Sequence, residues 1–155
     1  MKLNKYIQKS CCFYASDWHL TVMLLPYINN KVQENCSIYM KCENNIEEKM
    51  NILLNKLTLK NKKNIMNINW GNLVAEDNID DNEKIYIVSG SDKYIKNINN
   101  LIEQCYDKKN YNIKIINCYE VRDNEDLGKI ISENGYTQIL NTKGECDIKK
   151  QFYNK

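Results

Sequence analysis

The pattern of hydrophobic and polar positions is clearest between Lys84 and Tyr106. The apolar run 85–88 is β-branched and aromatic, and a Ser-Gly-Ser-Asp turn follows it, which is typical of a buried strand. Apolar residues then recur at three- and four-residue steps, which predicts an amphipathic helix. Ser91 or Asp92 can accept a hydrogen bond from a first-turn N–H of that helix. The segment therefore predicts a strand-turn-helix unit.

The first half of the chain shows a similar alternation of short apolar runs and helical stripes. Pro26 lies inside the first helical pattern and should kink or divide that helix, because proline lacks a backbone donor. Alternating residues before Trp70 predict a third strand. In order, the predicted elements are a polar lead-in at 1–10, a strand at 11–15, a helix at 17–35, a strand at 36–42, a helix from 44 and a strand at 65–70.

The second half begins with an acidic, Asn-rich stretch at 71–83, which we interpret as a flexible excursion and a candidate lid. After the strand-turn-helix unit, Gly135 is suited to the left-handed cap of a short helix. The remaining predicted elements are a strand at 112–121, a helix at 123–134, a strand at 137–140 and a polar C-terminal tail at 141–155.

Strands that alternate with helices predict an α/β fold of the three-layer, Rossmann-like kind, with a mostly parallel sheet and helices on both faces. A chain of 155 residues is long enough to bury a substantial core. We therefore expect one domain over residues 1–155.

The charge balance and hydropathy narrow the classes of partner. The net charge is +2, with lysines and acids interspersed, and nucleic-acid-binding domains usually carry a larger basic excess. No apolar run approaches the roughly 20 residues of a membrane span, and the N-terminus has no signal-peptide core. We expect a cytoplasmic protein that binds neither nucleic acid nor membrane, and the sequence predicts no oligomeric state.

The seven cysteines suggest neither a disulfide scaffold nor a metal site. Their number is odd, no C-x-x-C pair occurs, and there is a single histidine to complement them. Most lie in predicted strands or on an apolar helix face. We expect them to behave as small buried hydrophobic residues, with no metal and no cofactor.

Candidate ligand-binding residues follow from topology, because ligands of open parallel sheets bind beyond the carboxyl ends of the strands. The rule selects Glu43 and Asn44 after the predicted second strand, and the residues that it selects after the other strands form the predicted ligand-binding set. Those residues are Tyr14, Ser16, Asp17, Trp70, Ser89, Gly90, Ser91, Tyr119 and Glu120. The alternative interpretation is that the serines and Asp17 cap helices and the aromatic residues pack the sheet edge.

Catalytic motifs are weak or absent. The Ser89-Gly90-Ser91 turn could offer N–H groups to an anion, but the chain has no Walker A motif and no G-x-G-x-x-G. Cys118 and Arg122 are too close for the phosphate loop of a cysteine phosphatase. His19 could serve as a base or pH sensor, although an exposed or capping position in the helix is the more frequent role of such a residue.

The chain resembles the MEDS-type sensory domains, a family first described in regulators from methanogens and methylotrophs. The resemblance is carried by Phe13-Tyr14-Ala15-Ser16, Leu24-Leu25-Pro26-Tyr27-Ile28 and Cys36-Ser37-Ile38-Tyr39, and it continues in Ile87-Val88-Ser89-Gly90-Ser91, Tyr94-Ile95, Ile115-Ile116-Asn117-Cys118-Tyr119 and Ile139-Leu140-Asn141-Thr142. It implies a fold similar to RecA and circadian-clock ATPases without the phosphate-binding loop. Members often carry a histidine before the first-strand aromatic pair, where this chain has Cys11 and Cys12.

The resemblance and the missing catalytic motifs together predict a non-catalytic sensory module. It would bind a small organic molecule above the sheet and relay a signal through a protein partner. Two alternatives remain open. One is a protein-binding adaptor with a vestigial pocket, and the other is a small enzyme acting on a nucleotide or phosphate ester.

Overall fold

The computed structural model of the chain describes residues 5–71, 83–106, 111–121 and 127–148. Within these ranges, six strands and five helices follow one another along the chain. They are β1 (Lys5–Tyr14), α1 (Asp17–Gln33), β2 (Ser37–Cys42), α2 (Ile46–Lys56), α3 (Lys62–Met66), β3 (Lys84–Gly90), α4 (Asp92–Cys105), β4 (Tyr111–Glu120), α5 (Leu127–Asn134), β5 (Gln138–Asn141) and β6 (Gly144–Asp147).

The six strands form one sheet in the order β2-β3-β4-β1-β5-β6. Every neighbouring pair is parallel except β5 and β6, which are antiparallel. Helices cover both faces of this sheet, so the predicted α/β class with a mostly parallel sheet is confirmed. Among the described helices, none is long and apolar enough to cross a membrane.

Two apolar cores lie on opposite faces of the sheet. Helices α1, α2 and α3 pack over the face that carries Ile85 and Ile87, whereas α4 and α5 pack over the face that carries Tyr86 and Val88. All four of these β3 side chains are fully buried, because successive side chains of a strand point to opposite faces and both faces are covered. This explains why the strand lacks polar alternation in the sequence.

The strand-turn-helix unit predicted around β3 and α4 is confirmed. β3 ends at Gly90 and α4 begins at Asp92, with Ser91 as the N-cap. The Ser91 hydroxyl accepts a hydrogen bond from the backbone N–H of Tyr94 at 3.2 Å. The capping role that the sequence left open between Ser91 and Asp92 therefore belongs to Ser91.

Strand β1 is longer than predicted, and the interpretation of residues 1–10 as a polar lead-in is wrong from Lys5 onward. All ten β1 residues pair in register with β4, from Lys5 opposite Tyr111 to Tyr14 opposite Glu120. The backbone partners supplied by β4 hold the polar first half of β1 in the sheet. Polar composition alone therefore misled the prediction.

The predicted third strand at 65–70 is also wrong. Its first residues belong to the short helix α3, and the remainder makes an isolated bridge between Asn69 and Tyr39 at the outer edge of β2. Ile65 is buried and Ile68 is half-buried against the same core. Their three-residue spacing also suits one side of a helical turn, so the apolar pattern did not distinguish the two structures.

Helix α1 runs without a break through Pro26, contrary to a division of the helix there. Pro26 and Val22 both lie on the exposed side of α1. The carbonyl that loses its helical partner to a proline belongs to the residue four positions earlier, which here is Val22. Water can reach that side of the helix, so the helix tolerates the missing bond.

The C-terminal segment was predicted as a polar tail from 141, and this is wrong for residues 144–147, which form β6. Ile148 is buried in the second core, where it anchors the end of this hairpin. The predicted excursion at 71–83 lies almost wholly outside the described residues, as do the beginning of the predicted helix 123–134 and residues 149–155. Gly135 follows α5 with φ of 68°, the left-handed conformation expected of its cap.

Candidate functional site

A cleft of about 700 Å³ opens at the carboxyl ends of β1 to β4. The chain leaves β1 and β2 toward the face covered by α1 and α2, and it leaves β3 and β4 toward the face covered by α4 and α5. The connections therefore diverge at this edge, the arrangement that creates ligand sites in open α/β sheets. The cleft is lined by Tyr14, Glu43, Asn44, Gly90, Ser91, Asp92, Lys96, Tyr119, Glu120, Lys129, Ile130, Glu133 and Asn134.

The structure brings five of the predicted site residues into the lining of this cleft, namely Tyr14, Gly90, Ser91, Tyr119 and Glu120. Asp17 and Ser89 lie outside the lining but are hydrogen-bonded to Asn44, which is part of it. Ser16 and Trp70 lie elsewhere. The Ser16 hydroxyl caps α1 by accepting the His19 backbone N–H at 3.1 Å, which is the structural alternative stated for it. Trp70 packs against the core beneath α1 and α2 and is not brought to the cleft.

Asn44 is the centre of a hydrogen-bond network at the base of the cleft. Its side-chain amide donates to the Asp17 carboxylate at 2.7 Å and to the Tyr14 hydroxyl at 3.4 Å. Its carbonyl oxygen accepts the Ser89 hydroxyl at 2.6 Å. This single side chain therefore joins the ends of β1 and β3 to the first turn of α1.

The N-terminus of α4, where the sequence suggested an anion site, is occupied by Glu43. Its carboxylate accepts the Ser91 backbone N–H at 2.9 Å, and its own N–H donates to the Ser89 carbonyl at 2.8 Å. Gly90 has φ of 152°, and a Cβ placed on it would lie 2.8 Å from Glu43 Cβ and from one Glu43 carboxylate oxygen. The absence of a side chain at Gly90 thus allows Glu43 to approach the helix.

A buried network of amides and phenols lies beside the cleft. Asn117 donates to Asn99 at 3.2 Å and to the Tyr136 hydroxyl at 2.8 Å, and Asn99 donates back to Asn117 at 2.8 Å. The Tyr136 and Tyr119 hydroxyls are 2.6 Å apart. Burial, followed by the hydrogen bond with Tyr136, raises the pKa of Tyr119, so its phenol stays neutral. Tyr119 is thereby held rigidly at the cleft wall.

Among the described residues that line the cleft, negative charges outnumber positive ones. The two ammonium groups of this lining each have a carboxylate on the same helix, with Lys96 3.0 Å from Asp92 and Lys129 3.9 Å from Glu133. The remaining acids of the described lining are Glu43 and Glu120, and both side chains are exposed. Four carboxylates and two ammonium groups give this part of the lining a formal excess of two negative charges.

His19 and the cysteines lie outside this lining. The Nδ1 atom of His19 accepts the Ala15 backbone N–H at 2.8 Å, so this histidine ties down the loop before α1. Cys11, Cys12 and Cys118 are fully buried, and burial raises the pKa of Cys118 well above its ordinary value. Among the described residues, no group of three or more histidine, cysteine or acidic side chains is arranged to hold a metal ion.

Sequence reasoning missed the lining residues that helices contribute, which are Asp92, Lys96, Lys129, Ile130, Glu133 and Asn134. The topological rule selects residues that directly follow strands. Asp92 was considered only as a helix cap, and the other five lie further along their helices. Lys96 could have been found, because it lies one helical turn after Asp92, the first residue of α4.

The chain as a whole was compared with protein-family models, curated proteins and solved structures, and none of them matches it.

Proposed function

We propose that this protein is a non-catalytic sensory module that binds a small organic molecule in the cleft and relays the binding through a contact with a protein partner. The observation that carries the proposal is the cleft itself. Its volume of about 700 Å³ falls within the range of roughly 300–1,000 Å³ usual for small-molecule sites. Backbone, amide, phenol and charged groups from four strands and two helices converge on it.

The Asn44 network supports the relay. Asn44 lines the cleft and also bonds to Asp17 in the first turn of α1. A ligand that hydrogen-bonds to the Asn44 amide would compete with Asp17 or Tyr14 for the same two donors. Binding would then loosen or reorient the start of α1, where Trp18 is 43% exposed and available to another protein.

The two alternatives are less well supported by the geometry. An adaptor with a vestigial pocket is expected to have a closed crevice filled with apolar side chains, whereas this cleft is partly open and is lined by polar as well as apolar groups. An enzyme of the kind considered needs His19, a cysteine and a carboxylate within hydrogen-bond reach of one another. His19 instead bonds to the Ala15 N–H, and the described lining contains neither histidine nor cysteine.

A thermal-shift screen of the reduced protein tests the binding step. The panel comprises nucleotides, second messengers, amines and small hydrophobic metabolites. A compound at 100 times its dissociation constant should stabilise the native state by about 2.7 kcal/mol. Glu133→Trp should abolish the shift by filling the cleft, and Glu103→Trp is the matched control, because Glu103 is an exposed helix residue outside the lining.

The screen contradicts the proposal if no compound binds, or if a binding compound stabilises both tryptophan variants equally. The relay has its own readout. Hydrogen exchange in the first turn of α1 should change on binding in the wild-type protein. Unchanged exchange there, with a ligand bound in the cleft, would refute the relay and leave a simple binding protein.

A further inference from the structure

We infer that the cleft takes an organic cation, an amine or guanidinium compound, and that Glu43 sets this selectivity against phosphates and nucleotides. The inference rests on the proposed function, since it names the ligand class of the same cleft. It also reverses the suggestion from sequence that the turn after β3 could bind an anion.

The first step concerns the end of α4. The free N–H groups and the dipole of a helix N-terminus make it the natural place for a phosphate in an α/β fold. Here the Glu43 carboxylate already accepts the Ser91 N–H at 2.9 Å. An incoming phosphate would have to displace this carboxylate or lie against it, and both outcomes oppose binding.

Glu43 is held in this place by its surroundings. Its backbone N–H donates to Ser89 at 2.8 Å, which fixes the end of β2 against β3. Gly90 leaves the space that Glu43 occupies, since a Cβ there would meet both Glu43 and the Tyr94 ring at 2.8 Å. The carboxylate is therefore a built component of the cleft wall.

The second step concerns the charge that a ligand meets. The ammonium groups of Lys96 and Lys129 are each within ion-pair distance of an acid on their own helix. Within the described lining, Glu43 and Glu120 add two further negative charges from the strand ends. The whole chain has a net charge of +2, so this negative excess is a local property of the cleft.

The third step separates an organic cation from a metal ion. A divalent cation needs several oxygen ligands converging within about 2.0–2.6 Å of one point. No acidic, histidine or cysteine trio among the described residues is so arranged. A cleft of about 700 Å³ with spread carboxylates instead suits a molecule that carries its charge on an extended skeleton.

Isothermal titration of the whole protein at low ionic strength tests the inference. The cationic probes are agmatine, spermidine and choline, and the anionic probes are ADP and pyrophosphate. A cationic probe should bind and should perturb the NMR amide signals of Ser91 and Glu120. Loss of one carboxylate near the ligand in Glu120→Gln or Glu43→Gln should weaken cation binding about fivefold, and added salt should weaken it further.

Glu48→Gln is the matched control, because Glu48 is exposed on α2 and lies outside the cleft. It should leave binding unchanged, and Glu43→Gln should raise the affinity for ADP. Cleft binding of ADP or pyrophosphate that is tighter than that of every cationic probe would overturn the inference while upholding a small-molecule site. So would cation binding that is equal in wild type and both cleft variants. Failure of every probe and of the whole screening panel would overturn the proposed function as well.

Discussion

Removing the charge of Lys114 should destabilise the fold more than removing any exposed lysine. Its ammonium group donates to both carboxylate oxygens of Glu145 at 2.7 Å, and the Tyr27 hydroxyl donates to one of them at 2.8 Å. The two charged side chains are 11% and 16% exposed. This cluster joins β4, β6 and α1, so it attaches the C-terminal hairpin to the body of the protein.

The expected cost can be worked from that burial. Breaking a fully buried ion pair by removing one partner costs about 3–5 kcal/mol, because an uncompensated charge is left behind. The small remaining exposure lets water reach Glu145, so we expect Lys114→Met to cost about 2–4 kcal/mol. For a chain of this length, each kcal/mol corresponds to about 2–4 °C in melting temperature.

Urea denaturation in reducing buffer, followed by circular dichroism, measures this cost. Lys129→Met is the control, because its ion pair with Glu133 is 69% and 64% exposed and should contribute less than about 1 kcal/mol. Glu145→Gln introduced into Lys114→Met should recover part of the loss by removing the stranded charge. The reasoning would be refuted if Lys114→Met and Lys129→Met lowered the free energy of unfolding equally. It would also be refuted if the losses caused by Lys114→Met and Glu145→Gln simply added in the double variant.

Two further predictions concern the cleft and the buried thiols. Gly90→Ala should lower the free energy of unfolding, measured by urea denaturation, by about 2–4 kcal/mol. The added Cβ would lie 2.8 Å from atoms of Glu43 and Tyr94, and the backbone φ of 152° is strained for alanine. Gly71→Ala is the control and should cost less than about 0.5 kcal/mol, because the space around Gly71 is open. Burial raises the pKa of the Cys11 thiol from 9.0 to about 12. The native state therefore keeps this proton at pH values where the unfolded chain loses it. The resulting stabilisation is fully present below pH 9 and falls between pH 9 and 12 by about 1.4 kcal/mol per pH unit. Denaturation at pH 8, 10 and 11 should therefore show a steeper alkaline loss in wild type than in Cys11→Ala, and parallel slopes would contradict the assignment.

The parts of the fold that could be predicted are those where the local sequence pattern agrees with the burial that the tertiary structure imposes. The β3 segment is apolar throughout and a capping serine follows it, and the sheet then buries all of it. Residues 5–10 and 144–147 gave no such signal, because they are held by backbone pairing with β4 and β5 and most of their side chains are polar. Backbone hydrogen bonds of this kind place no constraint on side-chain type, so the sequence does not record them.

The same distinction applies to the site. Tyr14, Gly90 and Tyr119 could be assigned to the carboxyl-terminal end of the sheet, because the carboxyl ends of parallel strands lie together whatever the order of the strands. The same rule placed Trp70 wrongly, because Trp70 follows an isolated bridge at Asn69 and not a full strand. The residues that α5 contributes could not be assigned, since their position depends on how that helix packs against the core on its face of the sheet.

Glu43 shows why the ligand class could not be predicted from a local motif. The turn after β3 has the features of an anion site when it is considered alone, with a glycine, two serines and a helix start. The group that occupies it comes from 48 residues earlier in the chain, and it reaches the turn because β2 and β3 are neighbours in the sheet. Strand order therefore decides whether a carboxylate lies at this helix end. In this protein the Glu43 carboxylate accepts the N–H of the cap residue Ser91, and the cleft presents to the solvent a carboxylate in the place where a nucleotide-binding fold would present a vacant helix end.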